Sequence, residues 1–385
     1  MSAAATGGAL EGLRVLDIAN LFAAPQVAAI LADFGADVVK VEPPAGDPLR
    51  RMGATRDGQS LMWALVNRNK RGITLDLEAA SDQEAFGQLV SAADVLVENL
   101  PDEIRRRWHC TYEELAARNP GIVVVSVTCY GTDGPYADRP GAGTLAEAFG
   151  GLTHMTGEAD GPPVLASVAL GDLLTGTVGA LGALAACFRR ANGGPGQHVD
   201  VSMYEPILQL LSPAVTAFAA GGPAPGRMGS RVPGGVPRNV YRTADDHWIA
   251  VSGTTDPQVA RLLPLLGLDD EDGRARFATS TARLTAADEL DALVSAWVGG
   301  QARDAVLARL LEHRIPAAPV NDVAAILADP HLAARGDVVS VTDDDLGAVS
   351  MVAPVPKLRG TPGEIRTAGP RLGEHNEEVR RDWRA

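Results

Sequence analysis

Aromatic side chains make up only 4% of the chain, and its 34 lysines and arginines are outnumbered by 48 aspartates and glutamates, leaving a formal net charge of −14. That balance excludes a general nucleic-acid binder, which needs a basic face for the phosphate backbone. So few rings also argue against an array of base-stacking platforms. Cysteine is scarcer still, with Cys110, Cys129 and Cys187 alone. Their spacing fits no zinc pattern, and an odd number closes no internal disulfide framework. A reducing, cytoplasmic setting follows. The opening stretch MSAAATGGALEG has neither a basic nor an apolar run, so it reads as a loose tail rather than a secretory leader. The longest apolar stretch, 173–188, is too short and too rich in glycine and alanine to cross a bilayer. It reads as a buried helix, with Gly176, Gly179 and Gly182 allowing close packing.

Familiar signatures of chemistry are absent as well. ANLFAAPQ, not GxGxxG, follows the first apolar strand, and no Walker A loop, HExxH or GxSxG occurs. The seven histidines are scattered, none forming a metal-ligand pair beside a third ligand. Neither a metal site nor a resident cofactor is expected.

What is present is an ordinary globular composition over 385 residues, long enough for two domains. LRVLDI (13–18), DVVKVE (37–42), ITLDL (73–77), DVLVEN (94–99) and IVVVSV (122–127) read as short buried strands. Helical segments at APQVAAILADFGA, 82–93 and YEELAARN separate them. Such alternation predicts an α/β fold with a parallel, doubly wound sheet. A helix is expected near 144–156, another after Gly171, and a third over about 204–219. The Gly- and Pro-dense segment 220–237 reads as a linker. After it come a hairpin, VYRTADDHWIAVSG, and amphipathic helices to about 313, a smaller α+β unit (238–314). Residues 315–336 read as a return linker.

One residue stands out. In SVALGDLLTG, Asp172 sits between two apolar runs, where an unpaired ionised carboxylate is costly. Aspartate is a favoured helix N-cap, which is one explanation. The other is chemistry at a helix start, where the dipole and free amides favour the charged form.

Several segments, in chain order from about residue 10 to 380, resemble one family: LEGLRVLDIANLFAAP, ILADFGADVVKVEPPAGDPLR, NRNKRGITLDL, ADVLVEN, YGTDGPYADRPG, ALGDLLTG, GPGQHVDVSM, IPAAPVNDV, DPHLAARG and GEHNEEV. The family is the class III CoA-transferases. It includes formyl-CoA and carnitine CoA-transferases and bile-acid-inducible protein F, and is related to the α-methylacyl-CoA racemases. The resemblance implies a large Rossmann-like, CoA-binding domain made from 10–219 and 337–385, a small middle domain, and an obligate, interlocked homodimer. It implies an acyl-CoA and a carboxylic acid as partners, with the CoA thioester a substrate rather than a cofactor, and no nucleic acid or membrane. It makes Asp172 the nucleophile that carries CoA as an aspartyl thioester. It sets Phe22 near the reacting thioester and Ala23, Leu75, Asn99 and Arg107 along the CoA site. Arg68, Lys70 and Arg71, in NRNKRG, supply cations for its phosphates. Arg105 and Arg106 read as solvated helix surface.

The chain also departs from that pattern. The racemases have a histidine where PGAG (140–143) places Ala142, and alanine moves no proton. His154 reads as structural. Many transferases have an aromatic and an acidic residue where Ala142 and Gly143 stand. The flexible Gly-rich loop that covers the site in the oxalate-linked members of the family is not matched; the nearest counterpart, RVPGGVPRN, is shorter and has prolines, and the acyl pocket is expected to be wider and more apolar than that of a small-diacid enzyme. An isomerase using another base and a diverged, non-catalytic CoA binder are the alternatives.

Overall fold

Six short strands pair in parallel into one sheet: β1 (Arg14–Asp17), β2 (Asp37–Glu42), β3 (Arg71–Thr74), β4 (Val95–Glu98), β5 (Val123–Thr128) and β6 (His198–Ser202). The computed structural model describes residues 7–383, so the first six residues of the expected loose tail lie outside the described residues. The spatial order is β3-β2-β1-β4-β5-β6. The chain therefore builds outward from β1 in one direction, returns, and builds outward in the other. That order is the Rossmann arrangement, and it opens a crevice at the carboxyl ends of β1 and β4. In register, Leu16 lies beside Val39 and Leu96, and Val125 beside Val97 and Val199. A parallel sheet is covered on both faces, which is why its strands present buried Val, Leu and Ile to both sides.

Each face has its own core. Val15, Val95, Val97, Val123 and Val125 pack with α1 (Ala23–Asp33), while Leu16, Leu96 and Val124 pack with α2 (Ala80–Ala92). The long helix, α5 (Leu170–Ala191), joins the first core through Ala180, Ala183 and Ala186. It is long and apolar enough to cross a membrane by length and composition, with a mean hydropathy of 1.5, yet it lies against α1. Its glycines make this possible. A Cβ on Gly176 would stand 2.8 Å from Gln26 Cγ, and one on Gly179 would stand 2.6 Å from Val27 Cγ2.

Between these helices lie α3 (Asp102–Arg107), which follows β4, and α4 (Gly143–Phe149). The helix expected over 144–156 is divided, because Gly151 takes a left-handed φ of 91° before a short turn at Leu152–Met155. The segment 204–219 likewise divides into Tyr204–Leu210 and Ser212–Ala219, with Pro213 opening the second piece. The chain's end returns to the sheet, where Val379 and Trp383 enter the second core.

The chain separates into two compact units. The sheet unit runs up to Thr153, over Leu165–Ala224 and from His331 on. The other comprises His154–Val164 and Pro225–Pro330. It holds an antiparallel sheet of β7 (Arg238–Arg242), β8 (Trp248–Ser252) and β9 (Ala317–Pro319), with β8 central. Its helices close a separate core around Ile249, Leu262, Leu290 and Val306.

Candidate active site

A cavity of about 1350 Å³ opens at the carboxyl edge of the six-stranded sheet. Its wall takes Leu21, Phe22 and Ala23 from the turn after β1, Asn99 and Leu100 from the turn after β4, Cys129 after β5 and Met203 after β6. Asp172, from the first turn of α5, completes it. The structure thus brings Asp172, Phe22, Ala23 and Asn99 together at the crevice where the strand order reverses.

The turn after β1 is held in an uncommon shape. Leu21 has a φ of 64°, a region that non-glycine residues seldom visit. Its amide donates to Asp47 Oδ1 at 3.3 Å. Asn99 clamps the preceding residue from both sides: its Oδ1 accepts from the Asn20 amide at 3.0 Å, and its Nδ2 donates to the Asn20 carbonyl at 2.9 Å. Asn99 therefore ties the β1 and β4 turns together at the base of the cavity.

Asp172 is not a helix cap. The cap position belongs to Ala169, which makes no side-chain cap bond. The Gly171 amide at that helix end donates instead to Glu147 Oε1, at 2.9 Å. The Asp172 carboxylate is half-buried and lies against Gly143, where a Cβ would stand 2.1 Å from Oδ2. Burial pushes the Asp172 pKa above the usual carboxylate value, its own backbone amide pulls it down, and the charge of Glu147 pushes it up again. The helix-start amide favours the ionised form, as expected, but desolvation outweighs it. The neighbouring Cys129 is also a buried group, its thiol pushed upward by desolvation and its Sγ directed at the Ala142 carbonyl.

The proposed cations distribute differently from the sequence reading. Lys70 is not free to meet a phosphate. It is 2% exposed, and its ammonium donates to Asp17 Oδ2 at 2.8 Å, the Pro25 carbonyl at 2.8 Å and Asn67 Oδ1 at 3.0 Å. An ammonium has three donors and all three are in use. Burial lowers its pKa to about 8. Arg71 opens β3, toward the opposite edge of the sheet, and is bound to Asp37, Glu378 and Asp382. It lines a separate cavity of about 490 Å³. Leu75 is buried in the second core, away from the cavity wall. Arg107 is outside the lining and pairs with Glu78 at 3.0 Å. Its neighbours Arg105 and Arg106, read as mere helix surface, are the ones that line the cavity, and Arg139 joins them. Arg105 pairs with Glu98 and Arg106 with Asp102. The Arg139 guanidinium stacks 3.5 Å from the Tyr136 ring centre.

Ala142 and Gly143 bring no titratable group to Asp172, and His154 belongs to the other unit. Among the described residues no group of three histidines, cysteines or acids is arranged to hold a metal ion. Sequence reasoning missed Glu147. Its signal was an acid at helical spacing in the otherwise apolar TLAEAFGG, one turn after Gly143.

Comparison with known proteins bears on this arrangement. The model of CoA-transferase family III matches residues 10–376. A succinyl-CoA–D-citramalate CoA-transferase of Chloroflexus aurantiacus is 38% identical over 372 residues, spanning 96% of this chain and 92% of the relative. A succinyl-CoA:mesaconate CoA-transferase of Haloarcula marismortui is 33% identical over 385 residues, spanning 97% and 96%. Among solved structures, a CAIB/BAIF family protein from Brucella suis superposes with a TM-score of 0.87 at 32% identity, covering 98% of this chain and all of that one.

Proposed function

From the fact that the chain belongs to CoA-transferase family III, and is therefore an enzyme of CoA transfer, we propose that Asp172 carries the CoA as an aspartyl thioester. The observation that supports this is the uncapped, half-buried Asp172 carboxylate in the wall of a cavity at the sheet's crevice. Asp172 attacks the thioester carbonyl of the donor, giving a mixed anhydride and releasing CoA thiolate. The thiolate attacks the aspartyl carbonyl, leaving aspartyl-CoA and the free donor acid. The acceptor carboxylate then attacks aspartyl-CoA, and the thiolate returns to the acceptor's acyl carbon. Asp172 is regenerated, and the steps are covalent catalysis by a carboxylate. No resident cofactor or metal is needed, because the thioester itself is the substrate.

The cavity suits such a ligand. Phe22, Ala23 and Asn99 lie where the thioester end would enter, and Arg105, Arg106 and Arg139 offer positive charge to phosphates or to an acid. The relatives act on succinyl-CoA, so succinyl-CoA with short dicarboxylic acceptors is the first pair to try, ahead of the wider, more apolar acids that the sequence alone suggested. We assign CoA binding to the sheet unit, which runs up to Thr153, over Leu165–Ala224 and from His331 on, and a cytoplasmic setting to the enzyme. An obligate homodimer belongs to the same proposal. Leu181 and Phe188 on α5 are 67% and 74% exposed, and apolar groups of this size are what a second copy would cover.

The test is to incubate the enzyme with a panel of acyl-CoAs and hydroxylamine, and to search Asp172 by mass spectrometry. Hydroxylamine converts the aspartyl thioester to a hydroxamate. A donor-dependent hydroxamate on Asp172 is the expected result. Turnover without any adduct at Asp172 would place the covalent step elsewhere.

A further inference from the structure

Glu147 is 1% exposed, yet only half of its carboxylate is satisfied. Oε1 accepts from the Gly171 amide, and Oε2 is buried with no partner among the described residues. A sealed carboxylate with one hydrogen bond is an expensive way to stabilise a fold. A helix end is ordinarily satisfied by its own cap residue, but Ala169 makes no side-chain cap bond here. The duty has passed to a residue on another helix.

The surroundings show what that exchange achieves. The first turns of α4 and α5 lie against each other: a Cβ on Gly171 would stand 2.9 Å from the Gly143 carbonyl oxygen, and one on Gly143 would meet Asp172 Oδ2. Glu147 is one helical turn beyond Gly143, on the same face of α4. It reaches across and takes the amide immediately before Asp172. An amide left open there would seek another acceptor, and the next side chain along the helix is the Asp172 carboxylate.

We propose that Glu147 is the positioning residue of the nucleophile: by holding the Gly171 amide it fixes the first turn of α5 and leaves the Asp172 carboxylate free to face the cavity. The proposal rests on Asp172 being the nucleophile. Glu147 touches no substrate; it acts through Asp172.

Two variants and two measurements test this. In Glu147→Ala the amide is released; in Glu147→Gln a side-chain oxygen still accepts from it. Glu147→Ala should lower kcat for transfer by about 10-fold or more while the KM for the acyl-CoA stays within about twofold, as expected for a misplaced reacting group. Glu147→Gln should recover kcat to within about threefold. The second measurement needs no substrate: carbodiimide coupling of an amine to Asp172, followed by mass spectrometry. Labelling should fall several-fold in Glu147→Ala and return in Glu147→Gln. Wild-type kcat and labelling in Glu147→Ala would overturn the proposal. So would equal impairment of both variants, which would assign the effect to the charge or the fold rather than to the amide. If the wild-type enzyme forms no hydroxamate with any donor, the nucleophile reading fails, and the carbodiimide result still decides whether Glu147 controls Asp172.

Discussion

Gly143 has no side chain where Asp172 needs the room: a Cβ there would stand 2.1 Å from Asp172 Oδ2, well inside any real contact. With Asp172 in its present rotamer, no larger residue fits. Gly143→Ala is expected to drive the carboxylate out of position and to lower kcat by roughly 10- to 100-fold. The fold should survive, because Gly143 begins a helix in which alanine is the better helix former. Steady-state kinetics with a thermal melt checks both halves. An unimpaired Gly143→Ala enzyme would show that Asp172 works from a different rotamer.

The raised pKa of Asp172 has two consequences of opposite sense. In the proposed mechanism attack requires the carboxylate, so formation of an aspartyl adduct should fall as pH drops, with a midpoint above the ordinary carboxylate value. Stability runs the other way. The folded state holds this proton more tightly than the unfolded chain does. Ionising Asp172 therefore costs stability, a cost absent below the ordinary carboxylate pKa and complete above the raised one. Asp172→Asn, which never ionises, should melt higher than wild type at pH 7.5 by about 1–2 °C, a gain that shrinks as pH falls through the carboxylate range. Calorimetry at pH 7.5 and 4.5 measures it. A constant difference at the two pH values would mean that Asp172 ionisation is not its source.

Lys70 separates a structural cation from a binding one. All three of its donors are consumed inside the protein, with Asp17 as the ionic partner. Lys70→Met should leave the KM for acyl-CoA within about twofold, yet cost about 3–5 kcal/mol in denaturant unfolding, since it strips a buried carboxylate of its closest partner. The pH sense follows from the lowered pKa of about 8. Lys70 binds its proton less tightly folded than unfolded, so wild-type stability should rise from about pH 8 toward the unfolded lysine value. That slope should vanish in Lys70→Met. A large rise in KM without a stability loss would restore Lys70 to the CoA site.

The parallel sheet was legible because apolar runs and helical periods alternate cleanly from Arg14 to Ser202. Strand edges were less so: the ITLDL run places its strand two residues late, because Leu75 and Leu77 are apolar for the core without belonging to the ladder. Asp172 stood out as a charge among apolar neighbours. The cations did not sort themselves. NRNKRG looks like a phosphate clamp, but Arg68 and Lys70 are buried beneath α1 on Asp33 and Asp17, and only distant pairing in the chain reveals this. Glu147 was hidden for the same reason, since its partner Gly171 lies 24 positions away.

Three consecutive arginines on α3 give the sharpest contrast between reading and geometry. A six-residue helix turns its neighbours to different sides, at about 100° per residue. Arg105 and Arg106 face the cavity, while Arg107 turns to Glu78. Arg105 is anchored to buried Glu98, so its loss would disturb the fold as well as the site. Arg106 is the cleaner probe: it is exposed, and among the described residues its one ionic partner, Asp102, sits on the same helix. An exposed pair of that kind contributes about 0.3–0.5 kcal/mol, so Arg106→Ala should barely change the melting temperature. If Arg106 meets a CoA phosphate, its loss should raise the KM for acyl-CoA about fivefold, equivalent to roughly 1 kcal/mol of a charge-assisted bond. The increase should shrink with added salt. Arg107→Ala should leave that KM within about twofold. The reverse ranking would return Arg107 to the CoA site and require α3 to turn when the ligand binds.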